Sequence, residues 1–224
     1  MIGGNDGAAR LAWSYTRAER VADCVVHAIG VGLGVIGALS LIILIAHSAR
    51  GVEAASILIY VTGLLAMLGL SAAYNMWPVT RAKWLLRRFD HSAIYLLIAA
   101  TYTPFLVHMK SSVAAASLLI GVWSTAIVGI VLKLSLPGRL DRLSVVLYLL
   151  VGWSGVMAYD AVLPALSTST LWLLAAGGVL YTVGVVFHVW RTLRFQNAIW
   201  HGFVLLAAAC HYLAVLETVA LASD

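Results

Sequence analysis

Three short polar clusters interrupt an otherwise apolar chain. Ser71 and Asn75 stand four residues apart, Asn197 and His201 stand four apart, and Asp90 directly precedes His91. A spacing of four puts two side chains on one face of an α-helix. The clusters therefore offer a hydroxyl, two amides, a carboxylate and an imidazole as aligned sets. A carboxylate beside an imidazole is an acid–base pair. Two polar pairs spaced by four, with an Asp at the same depth, favour one pocket, built by Ser71, Asn75, Asp90, Asn197 and His201.

What must position these groups follows from composition. Of 224 residues, 62% are apolar and only 10% are charged, against about 45–50% and about 25% in an ordinary soluble domain. The mean hydropathy is +0.98. A water-soluble globule of this size leaves too much surface facing solvent to hide so much apolar chain. A soluble domain, disorder and nucleic-acid binding are excluded, and an integral membrane protein remains.

A membrane-crossing helix needs about 20 mostly apolar residues. Seven runs qualify, at 22–46, 54–77, 91–108, 113–132, 143–163, 170–190 and 198–220. Their breaks carry turn or charge signals such as Pro78 to Arg88 and Pro164 to Thr168. The runs are continuous, unlike the alternating ten-residue segments of a β-barrel. The expected fold is all-α, a seven-transmembrane helical bundle. Its single membrane domain spans 22–220, between an N-terminal tail at 1–21 and a short tail at 221–224. The tail at 1–21 is polar and has no apolar core of the sort a cleavable leader carries.

Charge sets the expected orientation. Twelve of the fourteen Lys and Arg fall in the N-terminal tail and the second, fourth and sixth loops, leaving Arg50 and Lys110 opposite. The positive-inside rule then puts the N-terminus in the cytoplasm and the C-terminus outside, the inverse of a G-protein-coupled receptor. Trp13, Trp77, Trp84, Trp190 and Trp200 fall at the inner boundary, as interfacial anchors do.

The same side gathers His27, His91, His188 and His201, with Asp23 and Asp90 near span ends. No carboxylate falls at a midplane, which counts against an ion-coupled transporter or proton pump. Gly30, Gly34 and Gly37, and Gly177, Gly178 and Gly184, are small-residue stripes for packing within the bundle, with a homodimer as the lesser use. Cys24 and Cys210 are expected to be unpaired, buried apolar residues.

The residues of several of these segments resemble the hemolysin III family. That family is the bacterial branch of the progestin and adipoQ receptor superfamily and is distantly similar to the alkaline ceramidases. The resemblance rests on Glu19 to Asp23 with His27 to Gly30, on Ser71 to Asn75, on the stretch FDHSAIYLLIAATYTPFL from Phe89 to Leu106, and on Asn197 to His201 followed by Cys210-His211. It implies seven spans with the N-terminus inside a bacterial cytoplasmic membrane, and agrees with the charge count.

The resemblance also implies a zinc site at the cytoplasmic end, with Ser-x-x-x-His in the second span, an Asp opening the third and His-x-x-x-His opening the seventh. Ser71, Asp90 and His201 match. Asn75 and Asn197 stand where the other two histidine ligands belong. A neutral amide oxygen is a poor zinc ligand, so with His201 alone intact the affinity falls by orders of magnitude. Three outcomes follow: loss of the metal, leaving a hydrogen-bonded cluster; compensation by His27, His91 or His188 beside Asp90; or a harder, oxygen-preferring ion.

The function expected from these residues is a polar site that senses or adjusts membrane lipid, with membrane lipids as partners. The resemblance to the ceramidases implies an alternative, a metal-dependent hydrolase of a lipid amide or ester with Ser71, Asp90 and His201 as its catalytic residues. In it Asp90 orients a zinc-bound water, Ser71 steadies the oxyanion, and His201 with Asp90 forms an acid–base pair. The family name adds a third class, a cytolysin or channel, for which no segment of the chain argues.

Overall fold

The computed structural model describes residues 15–48, 51–109, 113–136, 138 and 140–221. The expectations for Trp13, for Arg10, Arg50, Lys110 and Arg139, and for the last three residues lie outside the described residues. Among the described residues, seven helices of twelve residues or more follow one another: α1 (Arg17–Ser48), α2 (Val52–Met76), α3 (Arg81–His108), α4 (Val113–Ser135), α5 (Asp141–Gly152), α6 (Thr168–Val189) and α7 (Gln196–Leu221). No strand occurs among the described residues.

Helix α1 starts five residues before the apolar run, because a capping box extends it. The Thr16 backbone N–H and hydroxyl both donate to the Glu19 carboxylate at 2.8 Å, and the Glu19 N–H returns to the Thr16 hydroxyl at 3.3 Å. Reciprocal bonds of this type satisfy donors that a helix start leaves orphaned. The other Glu19 oxygen accepts the Phe195 N–H at 3.1 Å, where the backbone has φ 60°. One carboxylate thus caps α1 and ties it to the turn before α7.

Two expectations about the spans need correction. The stretch Pro78 to Arg88 is not a plain loop, since α3 already begins at Arg81. Its early turn is held by Lys83, whose ammonium donates to the Trp77 carbonyl at 2.9 Å and the Asn75 carbonyl at 3.3 Å, at the C-terminal end of α2. Cations are favoured there because a helix C-terminus presents unpaired carbonyls. The fifth run is not one continuous α-helix. After Gly152 it passes through a 3₁₀ turn (Ser154–Ala158) and one α turn (Tyr159–Val162). The Tyr102 hydroxyl, reaching in from α3, donates to the Gly152 carbonyl at 2.7 Å and accepts the Gly155 N–H at 2.8 Å. A broken ladder in an apolar setting needs such replacement partners.

Six stretches are long and apolar enough to cross a membrane: α1, α2, α4, Asp141–Val162, α6 and α7. Helix α3 is outside that set. It lies at the centre of the bundle against α2, α4, α5 and α7, with Tyr95, Ala99 and Ala100 wholly enclosed. A helix surrounded by other helices can carry Ser92, Thr101, Thr103 and Pro104 without presenting them to lipid. The outer surface instead shows Leu33, Ile36, Ile43, Val128, Leu150 and Val186, so the solvent this bundle suits is hydrocarbon. It is a multi-pass membrane protein.

Close backbone approach sets the α2–α3 contact. A Cβ on Gly63 would meet the Ala100 Cβ at 2.5 Å, whereas a Cβ on Gly69 would meet nothing. Gly34 and Gly37 face the Leu68 side chain and the Tyr212 ring, and Gly177 faces His211, so these small residues pack inside the chain. Both cysteines are free. Gly63→Ala is expected to lower the thermal midpoint of the detergent-solubilised protein, with overpacking costing about 1–3 kcal/mol. Gly69→Ala should stay within about 0.5 kcal/mol of the parent. Equal midpoints for the two variants would contradict this packing.

Candidate functional site

One end of the bundle gathers the start of α1, the end of α2, the start of α3 and the start of α7. Helix α1 brings Asp23 and His27, again four residues apart. Helix α2 brings Ser71 and Asn75, α3 brings Asp90, and α7 brings Asn197 and His201. Asp23, His27, Ser71 and Asp90 are buried, and the rest are largely enclosed.

Asp23 is the hub. Its Oδ1 accepts from His201 Nδ1 at 2.7 Å and its Oδ2 accepts from Asn197 Nδ2 at 2.8 Å. Its backbone carbonyl accepts from His27 Nδ1 at 2.8 Å. A carbonyl and a carboxylate can only accept, so both imidazoles carry hydrogen on Nδ1, which in the neutral ring leaves the lone pair on Nε2. The two rings meet edge-on with centroids 4.3 Å apart.

The amides close the net. Asn75 Nδ2 donates to the Ser71 carbonyl at 2.9 Å, which fixes the orientation of its amide, and lies 3.4 Å from both Ser71 Oγ and His27 Nε2. Its Oδ1 accepts from Asn197 Nδ2 at 3.1 Å. His27 Nε2 lies 3.3 Å from Ser71 Oγ. The Ser71 hydroxyl also has the Asp90 carboxyl as a hydrogen-bond partner, and that carboxyl lies within the field of His201 and Arg87. Below this layer burial lowers the Lys83 ammonium pKa.

The structure therefore brings Ser71, Asn75, Asp90, Asn197 and His201 into one cluster. It also supplies one member that sequence reasoning left out of the site, Asp23 as hub, and sets His27, expected only as a substitute metal ligand, against Ser71. The signal was present, since Asp23 and His27 repeat the four-residue spacing that marked the other two pairs.

Asp23, His27 and His201 each offer a ligand atom within 4.8 Å of the others and could hold a metal ion. Two imidazoles and one carboxylate is a donor set that suits zinc, so the residues fit the ion. Of the expected substitutes for the lost histidines, only His27 joins this group, and the carboxylate in it is Asp23 rather than Asp90. His91 lies 3.7 Å from Asp141. His188 packs on the Trp200 ring at 4.9 Å with no hydrogen-bond partner for Nδ1.

A multi-pass helical membrane protein with a buried carboxylate, imidazole and amide cluster at one end is the class that fold and site define. Residues 15–212 match the family described as haemolysin-III related. The chain is 37% identical over 202 residues to the hemolysin-3 homolog of Bacillus subtilis, covering 90% of this chain and 95% of that one. It is 35% identical to hemolysin-3 of Bacillus cereus, covering 88% and 90%. It is also 30% identical to the human monocyte to macrophage differentiation factor, covering 88% and 83%. The chain belongs to the haemolysin-III related family.

Because Asn75 and Asn197 touch the residues a metal would use, restoring imidazole at both adds two strong ligands. The double variant Asn75→His, Asn197→His is expected to bind zinc at least about 100-fold more tightly than the parent. Competition against a chromophoric chelator measures this. Equal affinities would mean that these two positions do not face the ion.

Proposed function

We propose that this chain is a seven-span protein of a bacterial cytoplasmic membrane, N-terminus inside, whose buried cluster binds the head region of a membrane lipid and serves lipid sensing or homeostasis. The observation that carries this reading is the convergence of three polar pairs and Asp90, from four helices, at the bundle end flanked by the basic residues. Arg17, Arg20, Arg81, Arg87, Arg88, Arg191 and Arg194 lie at that end. Cationic side chains near helix ends concentrate on the cytoplasmic side, at headgroup depth. With α3 crossing as the third span, this end faces the inner leaflet.

One outward face of α1 supports a lipid partner. It is headed by Arg17 and Arg20 and continues through Val21, Cys24, Val25 and Ala28. Basic at one end and apolar beyond, it matches an anionic headgroup with its acyl chain. Within the cluster, Asn75, Asn197 and Ser71 provide neutral donors and acceptors suited to an amide or ester group.

The second reading, hydrolysis, is favoured by the 2.7 Å bond from Asp23 to His201, which orients an imidazole with Nε2 free to move a proton. Zinc held by Asp23, His27 and His201 would supply a Lewis acid and a water of lowered pKa. Asn197 would keep Asp23 aligned, and Asn75 would keep Ser71 in place.

Alkaline phosphatase fused after Leu221 should be active, and fused in the turn before α7 inactive; the reverse pattern overturns the orientation. Protein purified in mild detergent should retain lipid detectable by mass spectrometry. Asp23→Ala should weaken that retention about 10–100-fold, as expected for losing a charge-assisted hydrogen bond of about 1.5–3 kcal/mol. Unchanged retention by a folded Asp23→Ala protein would sink the lipid reading of the cluster.

A further inference from the structure

We propose that Ser71 is a nucleophile activated by His27, giving this chain an acyl-ester hydrolase activity whose bond-making groups are all its own side chains. The inference depends on the reading above only for the source of the ester, a membrane lipid.

The argument begins with hydrogen positions. The Asp23 carbonyl cannot donate, so the 2.8 Å contact fixes the His27 proton on Nδ1. Nε2 then carries a lone pair 3.3 Å from Ser71 Oγ. A nucleophile–base pair, with the base oriented by a third group, is the arrangement that activates a serine. The separation is loose for an O–H···N bond, as such contacts often are without substrate. The Asp23 carboxylate adds to this. Its Oδ1 lies 3.5 Å from His27 Nδ1, close enough to stabilise the imidazolium that forms. Asp23 is a positioning residue here.

Asn75 completes the set. Its Nδ2 lies 3.4 Å from Ser71 Oγ and is the donor best placed for an oxyanion growing beside that oxygen. The position that departs from the family's histidine pattern thereby gains a use of its own. An imidazole there holds a metal; an amide there can donate to an oxyanion.

The step balances with water as the only co-reactant. Ser71 Oγ attacks the ester carbonyl carbon while its proton passes to His27 Nε2. Collapse of the tetrahedral intermediate breaks the ester C–O bond, and His27 returns the proton to the departing alcohol. Water, deprotonated by the same Nε2, then attacks the acyl-serine, releasing the fatty acid and restoring the Ser71 hydroxyl.

The test uses the full chain in detergent or nanodiscs with a long-chain alkyl fluorophosphonate, followed by peptide mass spectrometry. The expected result is attachment at Ser71, lost in Ser71→Ala, at a rate that 1,10-phenanthroline does not lower. His27→Gln should slow labelling, and hydrolysis of a fatty-acid p-nitrophenyl ester, by about 10²–10⁴-fold. Asn75→Ala should slow ester hydrolysis by about 10²–10³-fold. Attachment elsewhere, or none to the folded protein, overturns the proposal. Labelling that falls with the chelator and returns with zinc overturns it too. So does loss of labelling in Asp90→Asn with retention in His27→Gln, because the proton would then go to Asp90. The site of attachment on the unaltered chain decides the matter even if a variant does not fold. A folded protein that retains lipid but takes no label would leave the lipid-binding reading standing while this one fails.

Discussion

The arrangement at the site depends on one buried carboxylate. Asp23 receives His201 and Asn197 from α7 through its two oxygens and holds His27 through its own carbonyl. A carboxylate withdrawn from water is costly unless hydrogen bonds and opposing charge replace its hydration, so the groups that meet it are constrained together. Asp23 orients both imidazoles by the same logic and turns the Nε2 of each ring away from itself. The chemistry the site can do, whether ligating an ion or accepting a proton, is decided by that one choice of tautomer.

The second ion cluster follows a different rule. Asp141 at the start of α5 receives Lys133 at 2.7 Å and Arg87 at 2.5 Å. Lys133 is itself buried, so the pair satisfies a cation that apolar neighbours would otherwise strand. It joins α3, α4 and α5 on the side of the bundle away from α1.

Much of this was legible in the sequence because membrane helices announce themselves by length and apolarity. The long runs, the breaks at Pro164 to Thr168, and the alignment of Ser71 with Asn75 and of Asn197 with His201 needed only hydropathy and a period of 3.6. The rest was hidden for physical reasons. The start of α1 depends on a capping box, Thr16 with Glu19, that lies in polar sequence before the span. The break after Gly152 depends on a tyrosine fifty residues earlier in α3, a tertiary partner that local pattern cannot show. In the sequence Asp23 is only an acid near the end of a span. Only the packing of α1 against α7 makes it a buried hub.

The two asparagines show how amides close a buried cluster without an ion. A neutral imidazole offers one donor and one lone pair, and around an ion the lone pairs all point inward. Without an ion, facing lone pairs lack partners, and unpaired buried polar atoms are costly. A primary amide carries two donors and an acceptor on one short stem. Asn197 spends its donors on Asp23 and Asn75, while Asn75 accepts from Asn197 and gives to the Ser71 carbonyl. The resulting net closes on itself among side chains the fold already holds in place. Within it each imidazole presents its Nε2 in its own surroundings: His27 to the Ser71 hydroxyl and the Asn75 amide, His201 from the far end of the Asp23 bond.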